Sequence, residues 1–307
     1  MQNLSKLIDD LETTLDPCAY IESLHTSIIG SLYWWQRLVL KSTSTYILIN
    51  GARRAGKSAI IAAIPTHTAK VKHGSITLIV APTQSQAQED MRYVKQLASA
   101  DPYYPKMIRM SDSQMELSNG SRIIVLPATE AAARGYPDPD LIITDEAAFI
   151  PEIIHRDCLS PMLNANSSCR WIQISTTHGK NLDPGKFFYE SSLNRRWERY
   201  EIRAPVDVDP DNSMNLIPAL PEEEYKKEKA EHGIIAGYSP RHMDWVEQMR
   251  ELEDQGPAKY QRNQLALFVD SEEQVFSYED IRRMMDGSEA KGLLPHIEES
   301  EAIGLFV

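Results

Sequence analysis

The chain has 307 residues, of which 42% are hydrophobic and 25% charged, a composition typical of soluble globular proteins with one large or two ordinary domains. It contains no run of eighteen apolar residues and no basic-then-apolar secretory signal, which argues against a membrane or secreted protein. A formal charge of −12 would repel nucleic acid, so contact with DNA would require a local basic surface, a ring of copies or a partner.

Residues 4–45 are predicted to be helical and to precede the first core strand. Within them, the run from Ser31 to Leu40 concentrates aromatic side chains next to a glutamine, Gln36. Such a run can form a slot for a planar ring, with Trp35 as one wall, although these aromatic side chains also fit a packed core. Gln36 is the more informative member, because an amide can pair with both a donor and an acceptor.

A strand predicted over 46–50 leads directly into the loop Gly51-Ala-Arg-Arg-Ala-Gly56-Lys57-Ser58, and a helix is predicted from Lys57 to about Lys72. This order is the required context of a phosphate-binding loop, because glycines let backbone N–H groups surround an anion at a helix N-terminus. Lys57 is expected to reach the β- and γ-phosphates of ATP, and Ser58 to ligate Mg²⁺. The other loop residues expected to bind the nucleotide are Gly51, Arg54, Ala55 and Gly56. An incidental glycine-rich turn is the alternative, which the flanking strand and helix argue against.

The following segments alternate between short apolar strands and helices, which predicts a mainly parallel α/β sheet. The predicted strands cover 76–80, 121–126, 141–145 and 170–175, and a helix covers about Gln84–Ala98. Pro65 lies inside the first helical pattern, so that helix either kinks there or ends and restarts.

Two adjacent carboxylates, Asp145 and Glu146, end the predicted strand 141–145. Open α/β sheets place their chemistry at such strand ends. Hydrolysis of ATP needs one group that holds Mg²⁺ and a second that polarises the attacking water, and these two acids can divide the roles. A solvated helix N-terminus is the alternative interpretation of an Asp-Glu pair.

Cationic and hydroxyl side chains complete the predicted site. Arg53, Arg54 and Arg134 are candidates for offsetting charge on the transferred phosphoryl group, although a single arginine more often forms a surface ion pair. The run Ser175-Thr176-Thr177 ends the strand predicted over 170–175, where hydroxyls can sense the γ-phosphate through Glu146 or a water and couple hydrolysis to movement. Ordinary use of Ser and Thr in strands and caps is the alternative.

The composition shifts after Pro205 to acidic turns and charged helical stretches. We therefore predict three segments: a phosphate-loop core with its helical preamble over 1–205, a smaller and mostly helical lid over 206–270, and a linker over 271–307.

These motifs, taken in order, resemble the large terminase subunit of tailed bacteriophages over roughly residues 30 to 270. The motifs that carry the resemblance are Trp35-Gln36, Gly51–Ser58 with Arg53 inside, Ala81-Pro82-Thr83, Arg134-Gly135, Ile142–Glu146 and Ser175–Thr177.

The resemblance implies a P-loop NTPase of the additional-strand, catalytic-glutamate class whose ATPase activity powers translocation of double-stranded viral DNA into a procapsid. It implies that Gln36 contacts adenine, that Arg53 is the loop arginine, and that Arg134 acts in trans on the ATP of a neighbouring subunit. It further implies that Asp145 holds Mg²⁺ and that Glu146 is the catalytic base. It also makes Ser175–Thr177 the coupling motif. The implied partners are DNA, held through its phosphates without sequence preference, the portal protein and the small terminase subunit.

The implied assembly is a homo-oligomeric ring docked transiently on the procapsid in the host cytoplasm, with the isolated chain monomeric and no membrane involved. A basic cluster around Arg195, Arg196 and Arg199, with Lys180 and Lys186, is the best DNA-contact candidate, although it also fits a solvated charged face.

The chain departs from the family pattern in two places. The family continues into an RNase H-like nuclease domain, whereas this sequence ends on the apolar run Ala302–Val307, so no nuclease activity is expected. Asn263 stands where the family commonly has an acid.

Two other functions share some of these motifs. A superfamily-2 helicase fragment has a glutamine motif, a phosphate loop and an Asp-Glu strand end, but it needs a second RecA-like domain. A nucleotide-gated assembly module that does not hydrolyse ATP has no need of a water-polarising acid such as Glu146.

Overall fold

The computed structural model describes residues 11–26, 29–133, 136, 138–181, 183–241 and 243–269. Backbone contacts group the chain into two units, the first of which ends at Val269, and all structural statements below concern that first unit. Arg134, Gly135 and the predicted linker over 271–307 lie outside the described residues.

Within the described residues, nine strands form one sheet in the order β11-β8-β1-β7-β6-β2-β5-β4-β3. Every pair from β11 to β5 is parallel, and β5-β4 and β4-β3 are antiparallel. A separate antiparallel pair joins β9 and β10. The bounds are β1 Tyr46–Gly51, β2 Ile76–Ala81, β3 Met107–Met110, β4 Gln114–Leu117, β5 Arg122–Pro127, β6 Leu141–Asp145, β7 Arg170–Ser175, β8 Glu198–Arg203, β9 Val206–Val208, β10 Leu216–Pro218 and β11 Ile234–Tyr238.

Strand β7 lies between β1 and β6, although it follows both of them in the chain. The phosphate loop leaves the carboxyl end of β1, the Asp-Glu pair ends β6, and Ser175 ends β7. Because parallel strands end at the same edge of a sheet, this inserted strand brings the three motifs side by side. The predicted additional-strand P-loop fold is thereby confirmed.

Helices cover both faces of the sheet, and side chains alternate between the two faces along each strand. Ile47 and Ile49 of β1 belong to one buried cluster, and Leu48 belongs to the other. The bounds of the helices are α1 Pro17–Ser23, α2 Trp34–Lys41, α3 Lys57–Val71, α4 Gln84–Ser99, α5 Glu130–Ala133, α6 Ser160–Ala165, α7 Lys186–Leu193, α8 Glu222–Glu231, α9 Trp245–Gln255 and α10 Pro257–Leu265, with a 3₁₀ turn at Ala147–Phe149 and a π-helix at Ile154–Leu159.

Helix α3 runs without a break through the buried Pro65, so the predicted end and restart does not occur. The sequence patterns predicted β1, β2, β5, β6 and β7 to within about a residue, but they missed the antiparallel strands β3 and β4 at one edge. These two strands are short and half-exposed, so their sequences lack the continuous apolar run of a buried strand.

The segment after Pro205 is less helical and less separate than its sequence predicts. Strand β11 pairs in parallel with β8 and forms the other edge of the central sheet. A third buried cluster lies between the β9-β10 pair and helices α9 and α10. The lid boundaries at 206 and 270 therefore stay a prediction, since the lid contributes a strand to the core sheet. In the part of the chain described, no helix is long and apolar enough to cross a membrane.

Candidate active site

The loop between β1 and α3 requires glycine where it turns into the helix. Gly56 has a φ of 90°, in the left-handed region that side chains disfavour. A Cβ built on Gly56 would lie 2.9 Å from the amide nitrogen of Gln36 and 3.0 Å from the ring of Tyr33. Backbone conformation and close packing both demand glycine here, and the N–H groups of the first turn of α3 are left facing a cavity.

Lys57 is half-buried, and its ammonium donates to two carbonyls of its own loop, Gly51 O at 3.0 Å and Ala52 O at 3.1 Å. Desolvation by the surrounding protein lowers the pKa of Lys57, while the charges of Glu146 and Asp145 oppose that shift. The ammonium is therefore enclosed close to both carboxylates, where its charge is less screened than in bulk water.

Asp145 is buried at the end of β6, and its Oδ2 accepts a hydrogen bond from the Gln86 amide of α4. Burial raises the pKa of Asp145, and the neighbouring charge of Glu146 raises it further. One turn along α4 from Gln86 lies a second buried carboxyl, Asp90, whose pKa is raised, mainly by burial and then by the charge of Asp145. Neither Gln86 nor Asp90 was among the predicted site residues, although their i, i+4 spacing next to apolar positions marks one buried helix face.

Glu146 is fixed by its own backbone and by the end of β7. Its φ of 45° is unusual for a residue other than glycine and turns its side chain away from the strand direction. Its Oε2 accepts three hydrogen bonds, from Ser175 Oγ at 3.1 Å, Thr176 N at 3.1 Å and Thr176 Oγ1 at 3.3 Å. The carboxylate is therefore held in one orientation beside the phosphate loop.

Thr177 contacts the C-terminal segment instead of the carboxylate. Its hydroxyl donates to Leu267 O at 2.7 Å and lies 3.3 Å from Arg262 O. Asn50, at the end of β1, donates to Ala266 O at 2.7 Å. The phosphate loop makes a similar contact, since the N–H of Arg53 donates to Asn263 O at 2.6 Å. The last turn of α10 and the chain just after it are thus hydrogen bonded to the ends of β1 and β7 and to the loop.

Two neighbouring cavities open at this edge of the sheet. The larger, about 850 Å³, is lined by residues 53–59 together with Arg92, Tyr93, Gln96, Glu146, Arg241 and Glu251. The smaller, about 270 Å³, is lined by Ile29, Gly30, Ser31, Tyr33, Gln36, Gly56, Ala59 and Arg241. The two cavities share Gly56, Ala59 and Arg241, so together they form an elongated site with the first turn of α3 in the middle.

The structure brings most of the predicted residues to these cavities. Arg53, Arg54, Ala55, Gly56, Lys57, Ser58 and Glu146 line the larger one. The carbonyl of Gly51 accepts a hydrogen bond from Lys57, and Asp145 is buried and is not among the described residues that line the larger cavity. Gln36 lines the smaller cavity and joins it to the loop, since its amide donates to Gly56 O at 2.9 Å and accepts from Tyr33 N at 2.8 Å.

The prediction that Trp35 forms a wall of the nucleotide site is wrong. Its indole is fully buried in the hydrophobic cluster between the sheet and the first helices, and it is not among the described residues that line either cavity. The α-helical period explains this, because Trp35 and Val39 lie on the core face of α2. Tyr33 and Gln36 lie on the face toward the smaller cavity, so Tyr33 is the aromatic side chain at the site.

One member of the predicted basic cluster is not available to contact DNA, whereas Arg195 and Arg196 are exposed and their contact with DNA stays a prediction. Arg199 is buried, and its guanidinium donates to the carbonyls of Ser192 and His232. The guanidinium of Arg196 lies 4.1 Å from the ring centre of Tyr46, at the edge of the sheet opposite the cavities. Its charge is therefore not close to the nucleotide-binding loop.

A divalent cation fits the site through few protein ligands. No group of three or more His, Cys, Asp or Glu side chains that could hold a metal occurs in the described ranges. Mg²⁺ typically takes one or two protein oxygens together with substrate phosphates and water, which matches a single hydroxyl at Ser58 and a carboxylate at Asp145.

This arrangement of a strand, an anion-binding loop at a helix N-terminus, and an acid pair beyond an inserted strand defines a P-loop NTPase. A family model described as the N-terminal part of the terminase large subunit, T4likevirus-type, matches residues 48–283. The chain therefore belongs to this family of large terminase subunits, the DNA-packaging motors of phages, and the resemblance seen in the motifs is confirmed.

Solved structures agree with this fold. The large terminase ATPase domain of Thermus phage P74-26 is 19% identical, with a TM-score of 0.56 over 79% of this chain and 96% of that chain. A mutant of the same domain gives a TM-score of 0.55 at the same identity and coverage. The large terminase of bacteriophage HK97 is 16% identical, with a TM-score of 0.52 over 83% of this chain and 55% of that chain. No curated protein sequence matches the chain significantly.

Proposed function

We propose that the chain is an Mg²⁺-dependent ATPase that powers translocation of double-stranded viral DNA into a procapsid. The observation that carries this proposal is the placement of Glu146, whose carboxylate lines the larger cavity and is oriented by three hydrogen bonds from the end of β7. A protein that only binds nucleotide has no need of an acid fixed in this way beside a phosphate loop.

The elongated site fits a nucleoside triphosphate. The smaller cavity offers the ring of Tyr33 and the amide of Gln36 to a base, and the larger one offers the first turn of α3 and the ammonium of Lys57 to phosphates. On nucleotide binding, Lys57 exchanges its two loop carbonyls for phosphate oxygens, which makes charge-assisted hydrogen bonds in an enclosed site.

In this scheme Ser58 and Asp145 would hold Mg²⁺, which would neutralise charge on the phosphates. Glu146 orients a water and accepts its proton as the water oxygen attacks the γ-phosphorus, and the bond from that phosphorus to the bridging oxygen breaks so that ADP leaves. Ser175 and Thr176 keep the accepting carboxylate in position. Gln86 does the same for Asp145, so each acid has its own support from a neighbouring element.

Arginines supply the remaining positive charge. Arg53 and Arg54 line the larger cavity, and we propose that they contact the γ-phosphate in cis. Arg134 is proposed to act in trans on the nucleotide of a neighbouring subunit. In mixed rings, Arg134→Ala and Glu146→Gln subunits should together recover hydrolysis that neither variant shows alone. Absence of any defect in Arg134→Ala would remove the assignment.

The run Ser175–Thr177 is proposed to couple hydrolysis to movement. Ser175 and Thr176 bond Glu146, whereas Thr177 bonds the backbone at Arg262, in the last turn of α10, and at Leu267, just after it. Thr176, which bonds Glu146, is therefore adjacent in sequence to Thr177, which bonds the end of α10 and the residues after it. This adjacency supports the coupling role wherever the lid begins.

The proposed substrate of translocation is duplex DNA contacted through its phosphates, since a motor must move along any sequence. Because the chain carries a formal charge of −12, we propose that a homo-oligomeric ring on the portal, assembled with the small subunit, supplies the positive surface. This ring forms on the procapsid in the host cytoplasm, and the isolated chain is a monomer.

The test is phosphate release from ATP by the isolated chain, with Mg²⁺ or with excess EDTA, and with or without linear duplex DNA. We expect slow release that requires Mg²⁺ and increases when DNA and portal are added. A chain that takes up no magnesium nucleotide would overturn the proposal. Supercoiled plasmid in the same reactions tests the expected absence of DNA cleavage, and a forked duplex tests for strand separation, which a helicase would catalyse and a motor would not.

A further inference from the structure

Arg241 occupies a special place in the elongated site. It follows β11, far from every motif of the sequence analysis, and it is one of three residues that line both cavities. The other two, Gly56 and Ala59, belong to the start of α3. Arg241 therefore faces the middle of the site, between the end at Gln36 and the end at Glu146.

The loop that carries Arg241 is attached to the helix that carries Gln36. The indole of Trp34, the first residue of α2, donates from Nε1 to Tyr238 O at 3.1 Å. The ring of Trp34 lies so close to β11 that a Cβ added to Gly237 would be 2.5 Å from it. The backbone of edge strand β11 thus packs directly against the indole of Trp34 in α2, and position 237 has no room for a side chain.

Hydrogen bonds at Ser239 fix the backbone of the turn that carries Arg241. Ser239 N donates to Arg203 O at 2.8 Å, which extends the pairing with β8 by one residue. The Ser239 hydroxyl accepts from Arg241 N at 3.2 Å and donates to Arg241 O at 3.3 Å. The backbone of Arg241 is therefore positioned, while its side chain is exposed and makes no ion pair with the described residues.

The part of the nucleotide that lies in the middle of the site follows from what binds at its two ends. If a base lies at Tyr33 and Gln36 and the terminal phosphate lies at Lys57 and Glu146, the part of the nucleotide between them is the ribose and the α-phosphate. A guanidinium bordering that position has five donors in a planar fork that matches phosphate oxygens.

The acidic neighbour in the larger cavity does not compete for this cation. Glu251 accepts hydrogen bonds from Gln255 at 2.7 Å and Gln264 at 2.9 Å, and its second oxygen lies 4.0 Å from Arg54. Its charge is therefore engaged by α9, α10 and the phosphate loop.

We propose that Arg241 binds the α-phosphate of the nucleotide, an inference that rests on the proposed ATPase function. Arg241 then acts on ADP and ATP alike, unlike the residues around the γ-phosphate. Its contact also links any bound nucleotide to β11, so the edge of the sheet and the glutamine-bearing helix close on the same ligand.

The test is the binding of adenosine, ADP and ATP, each with Mg²⁺, measured by calorimetry for the parent, Arg241→Ala and Arg241→Lys. The matched control is Arg250→Ala, an exposed arginine of α9 that does not line the cavities. Loss of a charge-assisted contact predicts about 10- to 100-fold weaker binding of ADP and of ATP, by the same factor, in Arg241→Ala. Arg241→Lys should fall between, and adenosine binding and the thermal unfolding midpoint should not change.

The outcomes separate the inference from the function on which it rests. A parent chain that binds no nucleotide overturns both. A parent that binds ADP and ATP, with Arg241→Ala binding both equally well, overturns only the role of Arg241. Weakening of ATP alone would also contradict the proposal, because it would place the guanidinium at the γ-phosphate.

Discussion

The site has two walls that differ in how their charges are held. The inner wall consists of Gly56–Ser58, Asp145–Glu146 and Ser175–Thr177, and the ionic groups of Lys57, Asp145 and Glu146 are buried or bonded by backbone and hydroxyl groups. The outer wall consists of Arg92, Arg241 and Glu251, which come from α4, the loop after β11 and α9. The Arg92 side chain is 59% exposed, whereas Asp145 is 6% exposed.

This difference assigns different work to the two walls. Fixed charges in an enclosed site stabilise a transition state without reorganising, so the inner wall is suited to the chemical step. Exposed charges are screened by water and salt, so residues of the outer wall are suited to binding the nucleotide and not to the chemical step. Substitutions on the inner wall should therefore act mainly on turnover, and substitutions on the outer wall mainly on nucleotide binding.

Among the variants of groups that contact the nucleotide itself, the largest effect is expected for Lys57→Ala. Loss of the enclosed ammonium removes a charge-assisted contact to the β- and γ-phosphates, so we expect phosphate release to fall by about 10²- to 10³-fold, with weaker ATP binding. Lys72→Ala is the control, because its exposed side chain pairs with Asp140. Equal activity of the two variants would show that the lysine of the phosphate loop does not contact the phosphates.

A buried histidine next to the Glu146 turn, His155, should make the free energy of unfolding depend on pH. His155 donates from Nε2 to the carbonyl of Ala147, the residue after Glu146, and burial lowers its pKa to about 4. The unfolded chain binds a proton below about pH 6.5 and the folded chain does not, so stability is retained above that pH and falls as pH decreases toward 4.

Between pH 6.5 and 5, this histidine should lower the free energy of unfolding by about 2 kcal/mol. Urea unfolding at the two pH values measures the loss, and His155→Phe, which cannot titrate, should lose correspondingly less than the parent. The same pH dependence in parent and variant would mean that His155 does not stay neutral in the folded chain.

A smaller effect is expected when the hold on Glu146 is loosened. Ser175→Ala removes one of the three donors to its carboxylate, so kcat for ATP should fall about 10-fold while KM stays near the parent value. Ser192→Ala, whose hydroxyl donates within α7 instead, serves as the control. A rise in KM with unchanged kcat would indicate a binding role and erase the distinction between the walls.

The smallest effect is expected for Arg92→Ala on the outer wall. Arg92 already pairs with Glu89 and lies over the ring of Tyr93, so its removal should change KM for ATP by less than about 3-fold. Steady-state kinetics at low and high salt measures it. A loss comparable to that of Lys57→Ala would mean that exposed cations take part in the chemical step.

The inner wall was largely predictable because its residues form contiguous motifs at strand ends. Apolar β-branched runs defined the strands, and the Gly-Lys-Ser loop and the Asp-Glu pair then marked their carboxyl ends. The placement of β7 between β1 and β6 came from the family resemblance and from no local pattern, since strand order is a long-range property of the sheet.

The outer wall was not predictable in the same way. Strand β11 is only five residues long and contains Gly237, a residue that ordinarily weakens a strand, so its pairing with β8 and the position of Arg241 gave little local signal. A nucleotide contact for Trp35 follows only from its proximity to Gln36 in sequence, whereas helical spacing to Val39 marks it as a core residue. That spacing selects Tyr33 as the aromatic side chain of the site.

The central claim is that Glu146 activates water and does not hold the nucleotide. Glu146→Gln keeps the shape of the side chain and its hydrogen bonds to β7 while removing its capacity to accept a proton. Phosphate release and ATP affinity should be measured together on this variant. The account predicts ATP affinity within about 3-fold of the parent and turnover reduced by about 10²- to 10⁴-fold; unchanged turnover would contradict it.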